Sequence, residues 1–212
     1  MMQGLLRKNL ANGIVAARVL LVFGVMALFG AYDPVSRAAG LGLLVVAALL
    51  DWVDGYVAHT LKISSKVGGL LDTMGDRITE NLLFIFFAYK GLIPLYVPLF
   101  YVLRSFLADF IRTLSYSSGL ATFEVNTSVW GKMFVASAWS RVAYLVMKMG
   151  IFFFAGLILV LESMNTDMRL AWVRGLQDGV VGLAALTVAF SLLRFACLVY
   201  DSRAILKREF CA

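Results

Sequence analysis

The 212 residues are 61% hydrophobic and only 15% charged, with a mean hydropathy of +0.87, which excludes an ordinary water-soluble domain. The formal net charge of +6 suits attraction to an anionic lipid surface, and no basic patch alternates with aromatics in a soluble module, so no nucleic-acid partner is expected. Cys197 and Cys211 are too few and too badly placed for a disulfide framework or a metal site.

Taken in chain order, Met1 to Asn9 mixes apolar and basic residues as a short interfacial helix does. Apolar runs of about 20 residues, long enough to cross a bilayer, follow near 11–31, 38–60, 68–90, 93–116, 135–161 and 176–200. The first run is too long for the apolar part of a signal peptide and carries Arg18, so it reads as a retained span. The expected fold is therefore all-α and integral to the membrane: six transmembrane helices in one bundle, preceded by a short N-terminal interfacial helix. With no repeat, low-complexity tract or linker, residues 1–212 are expected to form a single domain. If both termini share a side, that side collects Arg7, Lys8, Lys62, Lys66, Lys132, Arg203, Lys207 and Arg208, against Arg37, Lys90, Arg169 and Arg174 opposite. The excess of positive charge predicts cytoplasmic termini.

Within the second and third runs stands the pattern D-x-x-D-G-x-x-A-H-x8-G-x-x-x-D-x-x-x-D, from Asp51 to Asp76. A carboxylate at the centre of a membrane helix costs roughly 2.5 to 3.5 kcal/mol, so an unpaired group of four would cost on the order of 10 kcal/mol. Something cationic must sit among them. Asp51 and Asp54 project from one helical face with Ala58 a turn further on, and Asp72 and Asp76 share a face of the next helix. Two helices joined by the short polar stretch from Thr60 to Lys66 are expected to be antiparallel neighbours whose acidic faces meet. Hard oxygen donors in that arrangement suit Mg²⁺ or Mn²⁺, and four carboxylates suffice for two ions. Gly55, Gly68 and Gly69 leave room for a ligand beside the backbone. The same carboxylates on facing helices would also serve a divalent-cation transporter.

Further on, Arg104 and Arg112 lie close to two helical turns apart in the fourth run, and Lys132 and Arg141 flank the start of the fifth. They are either counter-ions to the acidic cluster or a pocket for an anionic substrate, since arginine and lysine grip phosphate well. A path for a permeating metal ion would be repelled by such a set.

At Asp51, Asp54, Gly55, Ala58, Gly68, Asp72 and Asp76 the chain resembles the CDP-alcohol phosphotransferase family, membrane enzymes of phospholipid synthesis with the signature D-x-x-D-G-x-x-A-R-x8-9-G-x-x-x-D-x-x-x-D. His59 stands where the family usually has an arginine beside the nucleotide diphosphate; a protonated imidazole replaces the charge but not the guanidinium fork. Asn12 and Arg18 are similar to the family's N-x-x-x-x-x-R pattern, with Val15 where threonine is common. Arg104 and Arg112, followed by Val129-Trp130-Gly131-Lys132, look similar to the phosphatidylglycerophosphate synthases of the family, although Phe134 replaces a second lysine. The resemblance covers roughly residues 9 to 145, and the last third reads as generic membrane helix.

What the resemblance implies is transfer of a phosphatidyl group from CDP-diacylglycerol to an alcohol, with release of CMP. Asp51, Asp54, Asp72 and Asp76 would be the metal ligands, and Asp76 also the general base. Asn12, Asp51, Gly55, Ala58, His59, Gly68 and Asp72 would bind the nucleotide, and Arg104, Arg112, Lys132 and Arg141 the acceptor. The favoured acceptor is glycerol 3-phosphate, with phosphatidylglycerol (a cardiolipin synthase) or inositol phosphate as alternatives. The resemblance also implies a homodimer, while the distribution of Lys and Arg puts the acidic cluster toward the cytoplasmic ends of the second and third helices; the expected location is a bacterial inner membrane with the site facing the cytoplasm.

Overall fold

The structure, a computed structural model, describes residues 2–61, 66–117, 128–164 and 170–211, with side chains described except at 2–12, 14, 15, 51–61, 66–72, 112, 115–117, 136, 170, 171 and 204–211. Among the described residues all regular structure is helical: α1 (Met2–Gly30), α2 (Pro34–Leu61), α3 (Lys66–Tyr89), α4 (Tyr96–Ser117), α5 (Val129–Gly131) running into a π-helical turn at Lys132–Ala136, α6 (Ala138–Ser163) and α7 (Leu170–Cys211). Six of these helices have 22 residues or more and coincide with the six apolar runs.

Two of them are long and apolar enough to cross a membrane over described residues, Ala138–Ser163 and Trp172–Arg203, and Ala16–Gly30 and Pro34–Leu50 are shorter apolar helices. One expectation changes. The N-terminal segment read as a separate interfacial helix is the beginning of α1, which runs without interruption from Met2 to Gly30. No proline breaks that stretch, and Asn12-Gly13 within it does not end the helix. The last helix is also longer than its apolar run, because the polar stretch from Asp201 to Glu209 continues the helix.

The chain forms two compact units, Met1–Ile93 with Phe152–Val180, and Pro94–Ile151 with Val181–Ala212. In the first, α1 packs on both α2 and α3. The α1–α2 connection is set by Asp33, whose Oδ2 accepts the Ser36 N–H at 2.7 Å while Pro34 takes the first helical position. That hydrogen bond from the Ser36 backbone N–H holds the exposed Asp33 carboxyl below its ordinary pKa of 3.8. Arg37, 6% exposed, fastens the same corner: its Nε donates to the Ala31 carbonyl at 2.8 Å and its Nη1 to the Leu159 carbonyl at 2.7 Å.

Behind that corner lies an aromatic core. Phe84 and Phe152 meet edge-on with centroids 4.7 Å apart, and Phe29 stands 6.3 Å from Phe86 and 6.0 Å from Phe87. Lipid is as apolar as these rings, so their contribution comes from close packing rather than from escape from water. Gly156 is what admits Phe29, since a Cβ there would stand 2.8 Å from the ring's Cζ. Helix α3 stops at a left-handed Gly91 with φ 75°: the Leu92 N–H reaches the Phe87 carbonyl and the Gly91 N–H the Ala88 carbonyl, each at 3.0 Å. This is a Schellman closure, and the side chains of both Leu92 and Phe87 are buried.

In the second unit α4 meets α7 through Ala108, Ile111 and Leu198, with Phe195 and Val199 packed beside them. This is also the unit that carries α5 and its π turn.

Candidate active site

The acidic pattern sits on helical backbone throughout. Asp51, Asp54, Gly55, Ala58 and His59 belong to α2, and Gly68, Asp72 and Asp76 to α3. Helical geometry therefore puts Asp51 with Asp54, and Asp72 with Asp76, on common faces. The side chains of Asn12, of Asp51 to His59, and of Gly68 and Asp72 lie outside the described residues, as does that of Arg112. Among the described residues there is no group of three or more metal-ligating side chains. The donor set itself, carboxylates alone on helices of known register, is one that fits a hard divalent cation.

Asp76 is the member of the quartet whose surroundings are described. Its Oδ1 is 2.5 Å from Nη2 of Arg18; the arginine side chain is 6% exposed and the aspartate 49%. Thr79 Oγ1 donates to the Asp76 carbonyl at 2.9 Å, in the turn that follows. An arginine inside an apolar helix demands an anion, and the packing of α1 on α3 supplies one. The sequence had singled out Arg18 as a family match but had not paired it with Asp76. A lone arginine within an apolar run was the available signal.

The cations expected to hold an acceptor meet a different arrangement. Arg104 Nη1 donates to the Tyr144 hydroxyl at 3.4 Å, and its guanidinium carbon lies 5.5 Å from the tyrosine ring centroid. Two cations not proposed from the sequence face the same ring, Lys148 at 4.5 Å and Arg194 at 5.2 Å. The Tyr144 hydroxyl is within 3.2 Å of Ser191 Oγ, and Arg194 Nη1 donates to Ser140 Oγ at 2.6 Å. A tyrosine ring attracts cations through its negative faces, so this ring gathers charge that would otherwise disperse. Lys132, the first residue of the π turn, and Arg141, on the first turn of α6, have exposed side chains. Of the proposed acceptor residues, Arg104 stands at the Tyr144 cluster, and Lys148 and Arg194 join it from helices whose apolar composition had drawn attention away from them.

Residues 8–189 match the family described as CDP-alcohol phosphatidyltransferase. The chain is similar to a Bacillus subtilis protein named CDP-diacylglycerol--glycerol-3-phosphate 3-phosphatidyltransferase, 26% identical over 145 residues that cover 61% of this chain and 75% of the relative. A Rickettsia typhi protein of the same name is 27% identical over 105 residues, 50% of this chain and 59% of its own. A Mycobacterium tuberculosis protein named as a candidate cardiolipin synthase is 34% identical over 87 residues, 41% of this chain and 42% of its own. The chain thus spans three quarters of the first relative and about half of the other two. No solved structure matches it. Because the match runs through both units and nearly the whole length, the chain belongs to the CDP-alcohol phosphatidyltransferase family.

Proposed function

We propose that the protein transfers a phosphatidyl group from CDP-diacylglycerol to glycerol 3-phosphate, releasing CMP. The observation that carries this is the complete family spacing of four aspartates on helical backbone, with Asp76 held by the buried Arg18. The Bacillus and Rickettsia relatives, named for this reaction, support the choice of acceptor. So does the gathering of Arg104, Lys148 and Arg194 around Tyr144, since a phosphate needs cations.

In this reading Asp51, Asp54, Asp72 and Asp76 hold Mg²⁺ or Mn²⁺, in keeping with a family that is generally metal-dependent. The bound ion would neutralise diphosphate charge and make CMP a better leaving group. Asn12, Gly55, Ala58, His59 and Gly68 face the nucleotide. Asp76 takes the proton from the acceptor hydroxyl, whose oxygen attacks the β-phosphorus as the bond to CMP breaks. Arg18 fixes the orientation of that carboxylate. Arg104, with Arg112, Lys132 and Arg141, grips the phosphate of the acceptor. Six membrane-spanning helices within one domain over 1–212, a cytoplasm-facing site and a homodimer complete the proposal, supported by the coincidence of six helices with six apolar runs and by one family match across the chain.

The Mycobacterium relative favours a second reading in which phosphatidylglycerol is the acceptor and cardiolipin the product. Purified protein given CDP-diacylglycerol and, separately, glycerol 3-phosphate, phosphatidylglycerol and inositol phosphate decides between them. CMP release with glycerol 3-phosphate alone is expected; release with phosphatidylglycerol alone would transfer the assignment, and release with none would refute it.

A further inference from the structure

The turn that carries Lys132 is fastened from α7, the part of the chain that reads as generic membrane helix. Ser128 caps α5 by accepting the Gly131 N–H on its Oγ at 2.9 Å. The Ser128 N–H in turn donates to Oδ1 of Asp201 at 3.2 Å, from 73 residues away in sequence. Gly131 is buried, and a Cβ added to it would run into the Asp201 carboxylate. Glycine between Trp130 and Lys132 thus has a physical cause: the carboxylate stands where a side chain would begin. Asp201 Oδ2 is buried and accepts no hydrogen bond among the described residues. Leaving a buried oxygen unsatisfied costs stability, so this placement calls for a reason.

The far end of the turn is tied to the same helix. Ser140 Oγ donates to the Phe134 carbonyl at 2.5 Å, and Arg194 of α7 donates to Ser140 Oγ at 2.6 Å. Between the two attachments lies the π-helical stretch Lys132–Ala136. Wide turns of that kind displace side chains from their helical bearing and recur at functional sites.

We propose that Asp201 is a positioning residue: by holding the Ser128–Lys132 turn it sets where the Lys132 ammonium stands for the acceptor phosphate. This rests on the reading of Lys132 as an acceptor contact. Asp201 itself touches no substrate.

Two measurements on the full chain test it. In Asp201→Ala, amide hydrogen exchange at Ser128 and Gly131 should quicken about tenfold, and Asp201→Asn, whose amide oxygen still accepts the Ser128 N–H, should stay near wild type. In steady-state turnover, Asp201→Ala should raise KM for glycerol 3-phosphate about tenfold with kcat within about twofold, leaving KM for CDP-diacylglycerol unchanged. Gly131→Ala should raise the acceptor KM in wild type but add nothing in Asp201→Ala, because the obstructing carboxylate is gone. Unchanged exchange in Asp201→Ala overturns the latch. Faster exchange with an unchanged acceptor KM overturns the positioning role. A wild type inactive toward glycerol 3-phosphate refutes the proposed acceptor and this role with it, while the exchange data still report separately on the latch.

Discussion

Removing Asp76 should destabilise the protein more than removing Arg18, although the two share one ion pair. The cause is the inequality of their burial: Arg18 is 6% exposed and Asp76 49%. Truncating one partner of a fully buried pair costs about 3 to 5 kcal/mol because the other charge is stranded, whereas exposed pairs contribute at most about 1 kcal/mol. Asp76→Ala takes from the buried guanidinium the carboxylate that stands 2.5 Å from its Nη2, which sets its cost near 2 to 3 kcal/mol once half of the lost attraction is discounted for solvent. Arg18→Met keeps the bulk of the side chain and leaves a carboxylate that water can hydrate, for about 1 kcal/mol. The double variant should cost about 2 kcal/mol, less than the sum of the single changes, which is a coupling of about 1 to 2 kcal/mol. Reversible unfolding in mixed micelles measures all four species. Additive effects within about 0.5 kcal/mol, or a greater loss in Arg18→Met than in Asp76→Ala, would refute the reasoning.

Other expectations follow from single contacts. Arg37→Ala leaves the Ala31 and Leu159 carbonyls without their charged donor and should cost about 2 to 4 kcal/mol in the same unfolding assay, with Arg37→Lys recovering less than half because one ammonium does not reproduce the fork. Gly156→Ala presses a methyl against Phe29 and Leu41 and should cost about 1 to 3 kcal/mol, relieved at least in part by Phe29→Leu. For Asp33 the folded carboxyl titrates below the ordinary 3.8, so its contribution is present above that pH and disappears as pH falls through the folded value. The difference in melting temperature between wild type and Asp33→Ala should therefore be constant above about pH 5 and shrink below about pH 4; a difference that persists into acid would show that the carboxylate's charge plays no part.

The helices were legible because long apolar runs stand out in composition, and each of the six lies on a long helix. The register of the aspartates was equally plain, since spacing alone sets which residues share a helical face. What composition does not carry is pairing across distance. Arg18 and Asp76 lie on different helices, and only the packing of α1 on α3 brings them together. Lys148, Ser191 and Arg194 were missed for the same reason, each being an isolated polar residue in an apolar stretch, and Asp201 was missed at the start of a polar one; nothing local says which partner any of them meets. The glycine between Trp130 and Lys132 had been recognised as part of a motif, yet its cause sits on α7. The break expected between an interfacial helix and the first span had no proline to enforce it, and α1 runs through Asn12-Gly13.

The central claim, that an acidic face on two helices holds divalent ions for transfer from a CDP-lipid, is tested most directly by metal titration. Purified protein stripped with a chelator is supplied with CDP-diacylglycerol and glycerol 3-phosphate, and CMP is followed as Mg²⁺ or Mn²⁺ is restored. No turnover in chelator, recovery with added ion, and a half-maximal ion concentration raised about tenfold or more in Asp51→Asn and Asp72→Asn are predicted. Turnover that persists in chelator, or an ion dependence indifferent to both substitutions, would contradict the account.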